Sequence, residues 1–263
     1  MVVENALVRY RFWADNGVLA SSYLYFAPYG TKELEAVPGW TQDKAPELIQ
    51  DVSLPLEIWP QGAAPDEPFV YRISYTEQGE KVLEVRLAWQ GEGLEVEKRF
   101  TVAEDALYTL PVEIHLHGQG QGVKLVLGHY PQGKGVPELV YLYEGRKHSQ
   151  PLASGTLEGI GLVAKDSVFF WKFQGMEGLR PFQGRNGAGQ PVFGVEIPAF
   201  SGEFVLKGTL YAGRNRYILL EKAGLQGIVE LGFFSRFLVG VIRFLEMLYR
   251  ATGNYGWAIV LFT

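Results

Sequence analysis

The chain changes its hydrophobic period once, near residue 212, and this change restricts the folds open to it. Before that point apolar and polar residues alternate, as in the run Leu83, Val85 and Leu87 with Glu84 and Arg86 between them. A period of two places the apolar residues on one face of a strand. Many such short runs predict antiparallel strands in packed sheets. After residue 212 the apolar residues recur with the period of a helix, which predicts a helical C-terminal segment.

A hairpin is predicted where the alternation continues across Gly91-Glu92-Gly93. Its second strand carries apolar residues at alternate positions, namely Leu94, Val96, Phe100 and Val102. Further strands are predicted at 112–116, at 168–173, where the apolar run is more continuous, and at 204–211. Glycine pairs such as Gly118/Gly120 and Gly133/Gly135 separate these runs.

Two segments are expected to lie outside the strands. Residues 37–68 contain six prolines, which central strands exclude, so a long surface excursion is predicted there. Residues 118–122 alternate glycine and glutamine and predict a flexible turn. This turn lacks the Lys-Ser/Thr pair of a phosphate-binding loop.

Length and composition limit the classes of function. A chain of 263 residues forms one large domain or two small ones. Without cysteine it has no disulfide, no thiolate zinc site and no cysteine nucleophile. Its net charge of −5 argues against nucleic acid as the main partner, because phosphate neutralisation needs clustered cations. The first residues lack a signal peptide, so the chain either stays in the cytoplasm or begins after an export signal.

A helix from 233 to 250 is predicted to be amphipathic. One face carries six apolar residues: Phe234, Phe237, Leu238, Val241, Leu245 and Leu248. Arg236, Arg243 and Arg250 recur every seven residues along the opposite face. A central arginine in a spanning helix costs roughly 2.5–3.5 kcal/mol. A helix lying in the membrane interface avoids this cost and places the arginines beside lipid phosphates. The alternative is a helix that caps the sandwich and exposes its charged face to water.

These C-terminal residues also resemble the YidC insertase family. The family has a strand ending in Tyr/Trp-x-Gly, a short helix, an amphipathic helix, a Gly-Asn-Trp-Gly turn and the first core span. The corresponding segments here are YAG at 211–213, then LLEKAGLQGIVELGFF, SRFLVGVIRFLEMLYRAT and GNYGWAIVLFT. Upstream, Lys98-Arg99-Phe100 resembles the family's Lys-x-Phe/Tyr strand, and Tyr108-Thr109-Leu110 resembles the element that follows it. The chain departs from the family at Gly213-Arg214-Asn215, usually Gly-Pro-Lys, and at Tyr255, usually Trp.

The resemblance implies a mainly β fold: an antiparallel β-supersandwich of the galactose-mutarotase type with a C-terminal amphipathic helix. It implies a sandwich at 1–220, a short helix and interfacial helix at 221–252, and the truncated start of a transmembrane helix at 253–263. The parent protein would insert and help fold nascent proteins of the bacterial inner membrane, alone or with the Sec translocon, including SecD and SecF. This domain would lie on the periplasmic side, contact lipid and act as a scaffold or docking site, not as an enzyme. A sheet edge is expected to accept partners by strand addition, although the alternation does not identify which strand.

Four histidines are the other candidates for chemistry. His115 and His117 share a strand face with Glu113, an arrangement that could hold a metal but that also occurs on a hydrated outer strand. His129 and His148 are each interpreted as isolated surface histidines. The alternative function is a carbohydrate-binding or mutarotase-like sandwich, with a histidine and a carboxylate acting on a pyranose and tryptophans stacking on it. The tryptophans available are Trp13, Trp40, Trp59, Trp89 and Trp171. No cofactor and no metal is predicted.

Overall fold

The computed structural model describes residues 1–5, 7–24, 34–37, 54–60, 65, 67–79, 81–91, 93–130, 137–175, 177–229 and 233–262. The chain forms two compact units, residues 1–228 and 229–263. The first unit contains the strands, a short helix α1 (Tyr217–Lys222) and a 3₁₀ turn (Gln226–Ile228). The second contains helices α2 (Phe233–Thr252) and α3 (Tyr255–Phe262). The three-part division expected from the sequence stays a prediction.

Fifteen strands are described in the first unit: β1 (Val2–Glu4), β2 (Val8–Trp13), β3 (Val18–Leu24), β4 (Leu34–Glu35), β5 (Glu57–Pro60), β6 (Arg72–Glu77), β7 (Val82–Gly91), β8 (Leu94–Ala103), β9 (Thr109–His129), β10 (Glu138–Tyr143), β11 (Arg146–His148), β12 (Leu157–Val163), β13 (Ser167–Phe173), β14 (Arg180–Arg185) and β15 (Pro191–Arg214). The first four form one sheet in sequence order. The others form a second sheet in the order β11-β10-β12-β13-β15-β9-β8-β7-β6, with β14 on β15 and β5 on β9. All the described pairings of these strands are antiparallel.

The predicted hairpin is formed by β7 and β8. Leu83 pairs with Val102 and Gly91 with Leu94, so the glycines that end the alternation in the sequence also turn the chain. Every second residue of β8 from Leu94 to Val102 is buried, as a strand with one face in the core requires. The more continuous apolar run at 168–173 lies in β13, where four consecutive residues from Val168 are buried.

The two sheets pack face to face. Phe12 of the smaller sheet lies on Phe100 of the larger, with 4.7 Å between ring centroids. Deeper along the same interface, the Ser22 hydroxyl donates to the carbonyl of Ala212 at 3.4 Å. Both aromatic rings are fully buried. The fold class expected from the sequence, a mainly β antiparallel sandwich with a C-terminal helix, is therefore confirmed.

The expectation of a surface excursion at 37–68 is wrong for residues 54–60, whereas Glu67 and Pro68 are exposed. Leu56, Ile58 and Trp59 are almost completely buried, and β5 pairs with β9 from Glu57↔Val126 to Pro60↔Val123. Proline is tolerated because Pro60 ends the strand and Pro55 precedes it. Residues 38–53, 61–64 and 66 lie outside the described residues.

The expected turn at 118–122 is instead a bend inside the long strand β9. The register between β9 and β15 shifts on both sides of the Phe200↔Gln121 pair, which marks a bulge. Gly120 has φ +72°, a conformation that residues with a side chain rarely adopt. The glycines therefore permit the strand to bend without ending it. Gly133 and Gly135 lie outside the described residues.

A buried lysine links three separate segments of the first unit. Lys98 is fully buried on the apolar side of β8, between Val96 and Phe100. Its ammonium donates to the carbonyls of Asn16 at 3.1 Å, Gly17 at 2.7 Å and Leu56 at 2.7 Å. All three N–H donors of the ammonium thus have acceptors. Burial lowers the pKa of Lys98 to about 7, and the negative charge of Glu57 acts in the opposite direction.

The turn that supplies two of these carbonyls also holds the segment leading into β6. The backbone N–H of Asn16 donates to the carbonyl of Phe69 at 2.8 Å, and the Asn16 side chain accepts from the N–H of Phe69 at 2.9 Å. The ring of Tyr71 lies 4.4 Å from the Lys98 Nζ atom. Gly17 has φ +55°, and a Cβ there would come within 2.7 Å of the Tyr71 ring. Glycine is therefore required at this position on two counts.

In the second unit, α2 and α3 are joined by a turn that its sequence explains. Gly253 ends α2 with φ +65°, and its N–H donates to the carbonyl of Tyr249 at 2.7 Å. Asn254 caps α3, because its side-chain oxygen accepts from the N–H of Gly256 at 2.7 Å. The helix predicted for 233–250 extends to Thr252.

We expect Lys98 to make the stability of the fold pH-dependent. An unfolded lysine has a pKa near 10.4. Above a folded pKa of about 7, the unfolded chain therefore binds a proton that the folded chain has released, and the free energy of unfolding rises with pH. The contribution approaches about 1.4 kcal/mol per pH unit. Urea unfolding measured between pH 7 and 9, below the range in which tyrosines ionise, should show a steeper slope in the parent than in Lys98→Met. The N-terminal amine, whose pKa burial also lowers, contributes equally to both.

Lys172→Met is the matched control, because the Lys172 ammonium donates to one carbonyl, that of Gly224 at 2.9 Å. It should keep the slope of the parent. Equal slopes in the parent and Lys98→Met would contradict the assignment.

Candidate functional site

The outer face of the larger sheet is built from cross-strand rows of polar side chains. The registers of β6 to β9 and β15 align three rows on this face: Gln90-Glu95-His117-Glu203, Arg72-Ala88-Glu97-His115-Val205 and Ser74-Arg86-Arg99-Glu113-Lys207. These positions alternate with the buried ones, since successive side chains of a strand point to opposite faces. The strands that build the core therefore also present a dense set of charges to solvent.

Neighbouring charged side chains contact one another both within a row and between rows. Glu113 accepts from the Lys207 ammonium at 2.9 Å, and this hydrogen bond is the main reason why the pKa of Glu113 lies below its usual range. The Arg99 guanidinium pairs with Glu97, and this hydrogen bond raises the pKa of Arg99. His115 lies between two carboxylates, with Nδ1 at 3.2 Å from Glu203 and Nε2 at 3.4 Å from Glu113. The face is thus cross-linked by ion pairs between strands as well as by backbone hydrogen bonds.

The first two rows line a groove of about 990 Å³. Its wall continues onto the segment before β6 through Val70 and Tyr71, and onto Trp89 near the end of β7. The Trp89 ring is half-buried and stacks on Phe69, with 4.3 Å between centroids. The groove therefore combines an aromatic wall with a floor of carboxylates, two arginines and imidazoles, the mixture of apolar and polar groups that small-molecule sites use.

The structure brings some of the predicted site residues together and separates others. His115 and His117 both line the groove, together with Glu95, Glu97 and Glu203. His129 lies elsewhere on β9, opposite Val192, and burial lowers its pKa. His148 lies on β11, where it packs edge-on against Tyr143 at 5.6 Å. Among the described residues, no three histidine and acidic side chains are arranged to hold a metal ion.

The tryptophans considered for sugar stacking have different environments. Trp59 and Trp171 are buried in the core, Trp13 is half-buried at the end of β2, and Trp40 lies outside the described residues. Trp89 alone among the four described ones lines the groove.

Sequence reasoning missed Arg72 and Glu203, which line the same groove from strands far apart in the chain. Their separation of 131 residues leaves no local signal, although the alternation around each residue predicts the outward direction of its side chain.

The second unit carries the other candidate surface. At about 100° per residue, the apolar residues of α2 other than Val239 cover an arc of roughly 220° and the charged ones an arc of about 80°. Val241, Leu245 and Leu248 of the predicted apolar face are half-buried, and α2 contacts α3. Arg243 and Arg250 are exposed, as are Ile242, Phe244 and Met247. The side chains of Phe234, Arg236, Phe237 and Leu238 lie outside the described residues.

Among the helices described, none combines the length and the apolar character that crossing a membrane requires.

The first unit is an antiparallel β-sandwich with a polar groove, and the second is a helical hairpin. Among solved structures, the chain is similar to the crystal structure of YidC from Thermotoga maritima, with a TM-score of 0.50 and 15% sequence identity. The similarity covers 99% of this chain and 65% of that one, so this chain spans less than two thirds of the YidC chain. A heparinase III, the BT4657 gene product, matches with a TM-score of 0.41 and 10% identity over 78% of this chain and 32% of its own.

No family model matches the chain, and no curated protein matches it in sequence. At 15% identity, the likeness to YidC shows the fold alone.

The ion pair across β9 and β15 can be tested by titration. Replacing Lys207 with glutamine removes the main hydrogen bond that stabilises the charged form of Glu113, so the pKa of Glu113 should rise. Carboxyl-carbon NMR shifts followed against pH would measure the change. Lys165→Gln, in the exposed turn between β12 and β13, should leave that pKa where it is in the parent. An unchanged Glu113 titration in Lys207→Gln would contradict the pairing.

Proposed function

We propose that this chain is the extracytoplasmic part of a YidC-type membrane protein insertase. The observation that carries the proposal is the order of units, a β-sandwich followed by a helical hairpin, which aligns over 99% of the chain with YidC from Thermotoga maritima. The chain would belong to a protein of the bacterial inner membrane, with the sandwich on the periplasmic side. Its clients would be nascent membrane proteins, and its partners the Sec translocon with SecD and SecF.

The character of α2 supports a position in the membrane interface. A broad apolar arc lets such a helix sink into the boundary between headgroups and acyl chains, while a narrow charged arc stays at headgroup depth. Arg236, Arg243 and Arg250 lie on that charged arc and would contact lipid phosphates. The nine residues assigned to this interface are Phe234, Arg236, Phe237, Leu238, Val241, Arg243, Leu245, Leu248 and Arg250.

The sandwich would act as a scaffold and docking domain and not as an enzyme. The net negative charge of the chain also argues against nucleic acid as a partner, since a negative protein is repelled by the phosphate backbone.

Liposome flotation tests the interfacial helix. On vesicles of phosphatidylethanolamine and phosphatidylglycerol, the Arg236/Arg243/Arg250→Glu variant should bind at least about 100-fold more weakly than the parent, because each arginine near an anionic surface contributes about 1 kcal/mol. Added salt should weaken the binding of the parent by screening the same charges.

The matched control changes the same charge in the first unit. Arg72, Arg146 and Arg180 are exposed arginines of the sandwich, and their joint replacement by glutamate should leave flotation close to that of the parent. If the α2 variant floats as well as the parent, the interfacial assignment is wrong.

A second candidate function is supported by the groove. His115, His117 and three carboxylates line it, and Trp89 lines it too, so it holds the residue types that pyranose binding or general acid–base chemistry on a sugar would need. The side-chain contacts that already engage His115, Glu97 and Glu113 favour a structural role for these groups instead.

A titration with glucose and galactose separates the two functions. The insertase proposal expects no saturable binding by calorimetry. A carbohydrate-binding domain would give saturable binding that is lost in Trp89→Ala and kept in Trp257→Ala, which removes an exposed tryptophan of α3. The second result would assign the groove to a sugar site.

A further inference from the structure

Strand β6 ends the larger sheet on one side. It pairs with β7 from Arg72↔Ala88 to Glu77↔Leu83, and no described strand pairs with its other side. The segment before it is held differently: Val70 forms an isolated bridge with Asp15, and the N–H of Tyr71 donates to the carbonyl of Ala14. The open edge therefore begins at Arg72. Over these six residues, the backbone N–H and C=O groups that face away from β7 have no backbone partner among the described residues.

The other strands that end a described sheet carry the usual protections against edge pairing. β11 has three residues and includes Arg146 and Lys147, and β1 and β4 have three and two residues. β14 has six residues but contains Pro181 and carries an arginine at each end, whereas β6 has one arginine. Short length, proline and positive charge all discourage the addition of another strand. β6 is as long as β14, contains no proline and has four consecutive uncharged residues, Ile73 to Thr76.

The side chains of β6 differ between its two faces. Tyr75 is on the core side of the strand, yet 63% of its surface is exposed, so the apolar layer is incomplete at this edge. On the other face Arg72 is exposed and forms no ion pair with any described carboxylate. Arg72 also lines the groove, whose wall includes Val70 with 68% of its surface exposed. The open edge and the groove are therefore continuous.

We propose that the outer edge of β6 binds an extended segment of a partner polypeptide by strand addition. The proposal rests on the proposed function, for which it names the site where a partner or client segment docks. Main-chain hydrogen bonds to residues 72–77 supply affinity, and alternate side chains of the segment supply selectivity.

The chemistry of the segment follows from the two faces. Residues opposite Ile73, Tyr75 and Glu77 lie on the core side and should be apolar, because they complete the layer that Tyr75 leaves open. Residues on the other face meet Ser74 and Thr76 and should be small and polar, and the one opposite Arg72 should be acidic. An antiparallel partner with this pattern has the sequence Val-Thr-Val-Thr-Val-Glu.

This peptide, carrying a fluorescent label, is the probe. Fluorescence anisotropy with the full chain should show saturable binding that is about fivefold tighter than for Val-Thr-Val-Thr-Val-Lys, the range expected when a cross-strand charge pair changes from attractive to repulsive. In Arg72→Glu the preference should reverse. A peptide of the same sequence, N-methylated at alternate residues so that it cannot donate along one edge, should not bind.

Arg146→Glu is the matched control, because it reverses an exposed arginine on the protected edge strand β11 and should keep the preference of the parent. Three results would overturn the proposal: no saturable binding of either peptide, equal binding of the N-methylated peptide, or the same preference in Arg72→Glu. Self-association that is lost in Arg72→Glu would instead assign the edge to a second copy of this chain. Flotation of the parent on anionic vesicles is independent of β6, so its failure would count against the proposed function alone.

Discussion

The buried side chain of Lys98 joins three separate segments of the first unit. A buried cation needs acceptors for its N–H groups, and here the carbonyls of Asn16, Gly17 and Leu56 provide them. The carbonyls of Asn16 and Gly17 belong to the turn between β2 and β3 of the smaller sheet, and that of Leu56 to the approach to β5, whereas Lys98 belongs to β8 of the larger sheet. One side chain thereby joins the two layers of the sandwich. Through Asn16 and Tyr71 it also holds the segment that forms the groove wall.

The groove depends on this assembly, because its floor and its wall come from different parts of the chain. The floor is the outward face of strands whose inward residues make the core, so its charged rows are a direct result of alternation. The wall at Val70 and Tyr71 is positioned by hydrogen bonds to residues 14–16. Stability and any docking function in this region are therefore coupled. For variants near Lys98, the free energy of unfolding should be measured before partner binding is compared.

Local pattern predicted much of the structure where each signal lay within one strand or one turn. The hairpin of β7 and β8 and the helix from Phe233 were predicted because their periodicity is local, and the turn at Gly253-Asn254 was matched as a family motif. The predictions that rested on prolines and glycines were wrong for a physical reason. Pro60 stands at the end of a buried strand, and the glycines at 118–122 permit a bulge within β9, so neither residue type marked a surface segment there.

The sequence by itself determined the fold class, the switch from strands to helices and the outward direction of the charged side chains, because these follow from hydrophobic period. Tertiary structure decided which of those side chains meet. Arg72 and Glu203 share a groove, and Lys98 finds three carbonyls, because sheet order and register bring distant segments together. It also decided that β6 is an open edge, since an edge is defined by the absence of a neighbour among the described strands and not by any residue of its own.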